Sequence, residues 1–358
     1  MTPGPGGVGE LTRGPRRNIV LLVDSTLPAA AGGRDADDRS LVAILVGDGR
    51  PLLGLFAVGL GVAGLFAWFL SLIGEALPHE LRFLGMSLEG LRTLAGGRVV
   101  DFMTHDRVAF GGTLIAMSVI YLWLVAVPLA RGERWAWWLI AASGAFGFAS
   151  FVAYVGSGWI DGWHATAATF LLAAFVPGLF LNRRSLPPAP RLRVAVPWPS
   201  WRSRDGLGIR LVVLTGIGMV VAGTTILVLG SIVVFVPQDL MYIGFDRSAL
   251  DAIDAHLVPL IAHDRTGFGG GVATMGLLVL GCVRWGRWSR SLWQALATAG
   301  LVGFGAAIGV HGLVGYVDAS HVGPAVAGGL VFALGMVLAR PAHHRGKAVL
   351  SGSPTRLR

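Results

Sequence analysis

Histidine and aspartate recur together at four places in this chain, twice with arginine, and each grouping has the donors to bind a ligand or move a proton. His105, Asp106 and Arg107 open the run His-Asp-Arg-Val-Ala-Phe-Gly-Gly at 105–112. His263, Asp264 and Arg265 open His-Asp-Arg-Thr-Gly-Phe-Gly-Gly at 263–270, six identical positions of eight at an offset of 158. Asp161 and His164 lie three apart, as do Asp318 and His321, a spacing that places both members on one helical face. His311 is a secondary candidate, because a histidine inside an apolar span is a functional hypothesis by default.

Three chemistries suit these residues. Imidazole nitrogens with carboxylate oxygens suit a divalent transition metal such as zinc, copper, iron or manganese. An oxygen acceptor behind each ring would fix its orientation. Arg107 or Arg265 with the positive ends of nearby helices would suit an anion or small solute. A His–Asp pair could also act in acid–base catalysis. The competing structural interpretation is that Asp106, Asp161, Asp264 and Asp318 cap helix N-termini, with the arginines paired to them or to lipid phosphates. A bis-histidine haem in mid-membrane is disfavoured, since only His311 approaches that depth. The pattern assigns no catalysed reaction.

The elements that must carry these residues are apolar and long. Eight spans are expected at 51–73, 107–130, 135–156, 163–182, 209–236, 266–283, 291–317 and 321–340, against about 20 residues needed to cross the hydrocarbon. The composition agrees. Of 358 residues 54% are hydrophobic and only 14% charged, with a mean hydropathy of +0.66, where soluble domains carry about 25% charged residues. The single cysteine, Cys282, excludes a disulfide framework and a Cys-based zinc or iron–sulfur site. No Asp, Glu, Lys or Arg falls in the middle of an expected span, which counts against a carrier with a midplane carboxylate.

Upstream of the first motif, Pro78-His79-Glu80 matches Pro237-Gln238-Asp239 at an offset of 159, and downstream Gly158-Trp159-Ile160-Asp161 matches Gly315-Tyr316-Val317-Asp318 at 157. The chain therefore reads as two tandem copies of a four-span unit, at 51–182 and 209–340. An even number of spans per copy makes them parallel repeats. A basic, proline-rich linker at 183–208 joins them, flanked by a mostly disordered tail at 1–50 and a basic tail at 341–358. About thirty residues separate spans one and two, and again five and six, with apolar spacings that suit short amphipathic helices at the interface.

Net charge is +9, but 23 of the 29 Lys and Arg fall on one side of this topology. That side is expected to be cytoplasmic, with both termini there. The surplus is then a topology signal rather than a mark of nucleic-acid binding. The expected partners are the bilayer itself and anionic lipids at the Arg-rich linker. The fold class expected is an all-α, multi-pass protein of the plasma (inner) membrane with its short amphipathic helices outside. Its function would rest on a duplicated extracytoplasmic His/Asp/Arg site for a metal or small ligand. The alternatives are a transporter or lipid-handling protein with a path between the units, and a structural or assembly subunit whose polar motifs only cap helices.

Overall fold

Every expected apolar span becomes a helix in the computed structural model, which describes residues 46–74, 76–153, 159, 162–187 and 198–341. The tail at 1–45, Asp161, the middle of the linker at 188–197 and the tail at 342–358 lie outside the described residues. Among the described residues there is no strand and there are eight helices long and apolar enough to cross a membrane. In chain order the helices are α1 (Arg50–Ile73), α2 (Pro78–Leu84), α3 (Leu88–Thr93), α4 (Arg98–Ala126), α5 (Arg134–Val152) and α6 (Gly162–Ser185). They continue as α7 (Arg204–Ile232), α8 (Pro237–Ile243), α9 (Arg247–Ile253), α10 (Leu257–Trp285), α11 (Arg290–Val314) and α12 (Ala319–Leu338). The short helices α2, α3, α8 and α9 occupy the two segments where amphipathic helices were expected.

Two boundaries differ from expectation in the same way. Helices α4 and α10 begin at Arg98 and Leu257, nine residues before the expected spans at 107 and 266. His105 and Asp106 thus lie inside α4, and His263 and Asp264 inside α10, so neither motif opens its helix. Hydropathy places a boundary where charges begin, yet here those charges are paired by neighbouring helices and the backbone continues. At about 1.5 Å per residue these 29-residue helices are about 43 Å long, against about 30 Å of hydrocarbon. Their extra turns build a second apolar core at one end, where Leu84, Leu91, Ile243 and Leu250 of the short helices bury themselves against Phe102, Leu257 and Leu260.

The short helices are made by local chemistry. Pro78 and Pro237 start α2 and α8 with a preset φ and no wasted N–H. Three positions after each N-cap an acid reaches back. Glu80 accepts the Leu77 N–H at 2.8 Å, and Asp239 accepts the Val236 N–H at 2.8 Å. Ser87 and Asp246 cap α3 and α9 through Gly90 N–H and Ala249 N–H.

The long helices close into a ring of neighbours, α4–α1–α6–α5–α10–α7–α12–α11 and back to α4, while α4 and α10 also touch across it. The third long helix of each half crosses over: α5 packs on α10, and α11 packs on α4. The Phe-Gly-Gly runs permit this. On α4, Gly111 faces Trp68 and Gly64 of α1, and Gly112 faces Ala306 of α11. On α10, Gly269 faces Leu227 and Gly223 of α7, and Gly270 faces Ser150 of α5. Small residues let helix backbones approach closely in lipid, where dispersion and hydrogen bonding replace the hydrophobic drive. At the opposite end from the short helices, arginines sit at the helix termini and stack on tryptophan, as Arg183 does on Trp137 at 5.2 Å and Arg340 on Trp293 at 5.8 Å.

Candidate functional site

The polar residues of α4 and α10 meet the short-helix acids in two crossed clusters. Arg107 on α4 donates to Glu80 Oε1 at 2.7 Å and to Asp264 Oδ2 of α10 at 3.3 Å. Arg265 on α10 donates to both carboxylate oxygens of Asp239 on α8 and lies 3.3 Å from Asp106 Oδ2 of α4. Each arginine therefore binds the acid of its own half's short helix and the aspartate of the other half. Such charges persist away from water only when paired. Both guanidiniums are paired with carboxylates, and both arginines lie well inside their helices rather than at an N-terminus.

The backbone is bent to serve this network. Val234 adopts φ 70° and is 4% exposed, a left-handed conformation that strains a β-branched residue by about 1–3 kcal/mol. Its carbonyl accepts from Arg265 Nη1 at 2.7 Å. The same guanidinium lies 5.0 Å from the centre of the Phe102 ring.

The histidines also pair across the halves. His105 of α4 meets His311 of α11 and His321 of α12, and one ligand atom from each falls within 4.8 Å of the other two. His263 of α10 meets His164 of α6, Nε2 to Nδ1 at 3.3 Å. The crossover of α5 and α11 in the ring produces this exchange. Asp318 does cap its helix, accepting from Ser320 N–H and His321 N–H, whereas Asp106 and Asp264 do not act as caps. Asp161 falls outside the described residues.

Within the three-histidine cluster two rings are held from behind by hydrogen bonds. His105 Nδ1–H donates to Asp106 Oδ1 at 3.0 Å, and His311 Nδ1–H donates to the Tyr316 carbonyl at 2.8 Å. His321 Nδ1 lies 3.7 Å from Asp239 Oδ1. The remaining nitrogens of His105 and His311 face each other, Nε2 to Nε2, at 3.2 Å. Asp106 is 1% exposed, His105 3% and His311 5%, while His321 is partly exposed.

Tyr316 organises the cluster. Its hydroxyl donates to Asp239 Oδ1 at 2.8 Å, its ring stacks on His321 at 4.4 Å, and its edge meets His105 at 5.7 Å. Burial and the neighbouring Asp239 carboxylate push its phenol well above the ordinary range. It therefore stays a proton donor at neutral pH.

Tyr316, Glu80 and Asp239 escaped selection from sequence. A signal for the two acids was present, since Pro-x-acid occurs in both copies, at 78–80 and 237–239. No comparable signal marks Tyr316, whose counterpart in the first copy is Trp159. Known proteins offer no guide to the site: no family model, no curated protein and no solved structure matches the chain.

Proposed function

We propose that this is a multi-pass protein of the plasma (inner) membrane, built from two parallel four-span repeats, whose extracytoplasmic end carries a metal-binding centre at His105, His311 and His321. The repeat is supported by the matched motifs and by the same order of one long, two short and three long helices in each half. The orientation is supported by the sequence, in which 23 of the 29 basic residues fall in the segments assigned to the cytoplasmic side. Anionic lipids are the expected partners of that basic end.

One observation carries the metal reading. Both Nδ1 atoms of His105 and His311 donate to oxygens that only accept, so in neutral rings both Nε2 atoms present lone pairs, 3.2 Å apart. Two facing lone pairs repel unless a proton or a metal ion lies between them. Carboxylate and carbonyl acceptors behind ligand histidines are the usual support of a metal site. His164 and His263 form the related pair of the duplicated site. The sequence counterpart of His311 in that half is Tyr154.

The test is metal analysis of the purified full-length protein. Stoichiometric metal lost in His105→Ala and in His311→Ala, with His164→Ala retaining it, supports the reading. Absence of metal from the wild type after loading overturns it.

A second reading, an assembly subunit in which these residues only clamp helices, is favoured by the crossed ion clusters Glu80–Arg107–Asp264 and Asp239–Arg265–Asp106. On that reading the histidine variants lose thermal stability whether or not metal is supplied. A solute path between the halves is opposed by Gly271 of α10 packing directly on Phe110 and Thr113 of α4.

A further inference from the structure

The three-histidine cluster has features that narrow the ion it would hold, and this step rests on the metal reading above. The first is the donor count. The nearest carboxylates are already committed: Asp106 to His105 and Arg265, and Asp239 to Arg265, to the Tyr316 hydroxyl and to the Val236 N–H. Three imidazoles are thus the donors on offer. The second is access. Tyr316 lies flat on His321, and Phe102 stacks beside His105 with ring centres 6.3 Å apart. Zinc prefers four ligands, and at a three-histidine site it takes water as the fourth. Here the Tyr316 and Phe102 rings flank the cluster, and of the three histidines only His321 is partly exposed.

The third feature is charge. Asp106 and Asp239, 1% and 0% exposed, share Arg265 as their paired cation among the described residues, which leaves one negative charge of that group uncompensated next to the rings. A monovalent ion on neutral imidazoles cancels that charge. A divalent ion without an added anion overshoots it, and net charge is costly in a medium of low polarity. Copper accepts imidazole ligands readily, and its filled-shell monovalent form is satisfied by three of them. We infer that His105, His311 and His321 form a three-coordinate site for the cuprous ion.

The test uses the full-length protein in detergent without oxygen, titrated with Cu(I) against a chromophoric Cu(I) chelator and then challenged with equimolar Zn2+. One Cu(I) per chain, retained through the challenge, is expected. His311→Ala should abolish binding, as should His321→Gln at the most exposed ring, and His164→Ala should leave it intact. Asp106→Asn keeps an oxygen for His105 Nδ1–H but removes the charge, and should weaken Cu(I) about 10- to 100-fold, the scale seen when the groups behind metal ligands are changed. Zn2+ displacing the copper, or an unchanged affinity in Asp106→Asn, overturns the cuprous assignment and leaves the metal reading standing. Failure of both metals to bind overturns both.

Discussion

Arg265 concentrates the electrostatics of the site in one side chain. It touches two carboxylates, one carbonyl and one aromatic face while only 8% exposed. Removing one partner of a buried ion pair typically costs about 3–5 kcal/mol, because the other charge is stranded. Arg265→Ala is therefore expected to lower the melting temperature sharply in detergent. Arg247 offers the control. Its pair with Asp251 spans 3.8 Å with both side chains about half exposed, and such a pair contributes about 0.3–0.5 kcal/mol. A melt in which the two alanine variants behave alike would contradict this account of the network.

Helix contacts and caps set the next scale. A side chain at Gly112 would drive into Ala306 of α11 and the Val302 carbonyl. Overpacking a filled interface costs about 1–3 kcal/mol, so Gly112→Leu should reduce thermal stability. Because α11 carries His311, the same variant should also weaken metal binding. Gly218 has open space around it, and Gly218→Leu should have neither effect.

Asp246 caps α9 and titrates. Hydrogen bonds from the Ala249 N–H and the Ser248 hydroxyl hold its carboxylate below the usual range. A folded value below the unfolded one means that its support is complete above about pH 4 and is lost as the pH falls through the folded value. Asp246→Asn keeps an acceptor for the cap without the charge. Its melting temperature should fall less steeply with acid than that of the wild type.

At the scale of the whole molecule the two halves interlock rather than sit side by side. Each ion cluster takes members from both halves, and so does each histidine cluster. Orientation is testable with the same frame. The native Cys282 is fully buried, so a single introduced cysteine reports alone. Asp251→Cys, on the end bearing the short helices, should react with a membrane-impermeant maleimide in intact cells. Arg202→Cys, at the other end, should react only after permeabilisation. The reverse labelling would invert the proposed topology.

The sequence by itself determined the eight spans, the two segments that hold short helices and the repeated His-Asp-Arg runs. Span length, charge sparsity and matched spacing are local properties that survive without contacts. It also marked eight of the residues now placed in the ion and histidine clusters, together with His311. It could not decide their partners. His105 and His164 share one half and His263 and His321 the other, yet packing sends α5 onto α10 and α11 onto α4, and the pairs are exchanged. Nor could it show Glu80, Asp239 and Tyr316 as parts of the site, because a cap acid and a loop tyrosine become its supports only when helices distant in sequence bring a buried guanidinium and two imidazoles against them. The tertiary structure made that decision, since a buried charge keeps its charge only where the fold supplies an opposite one.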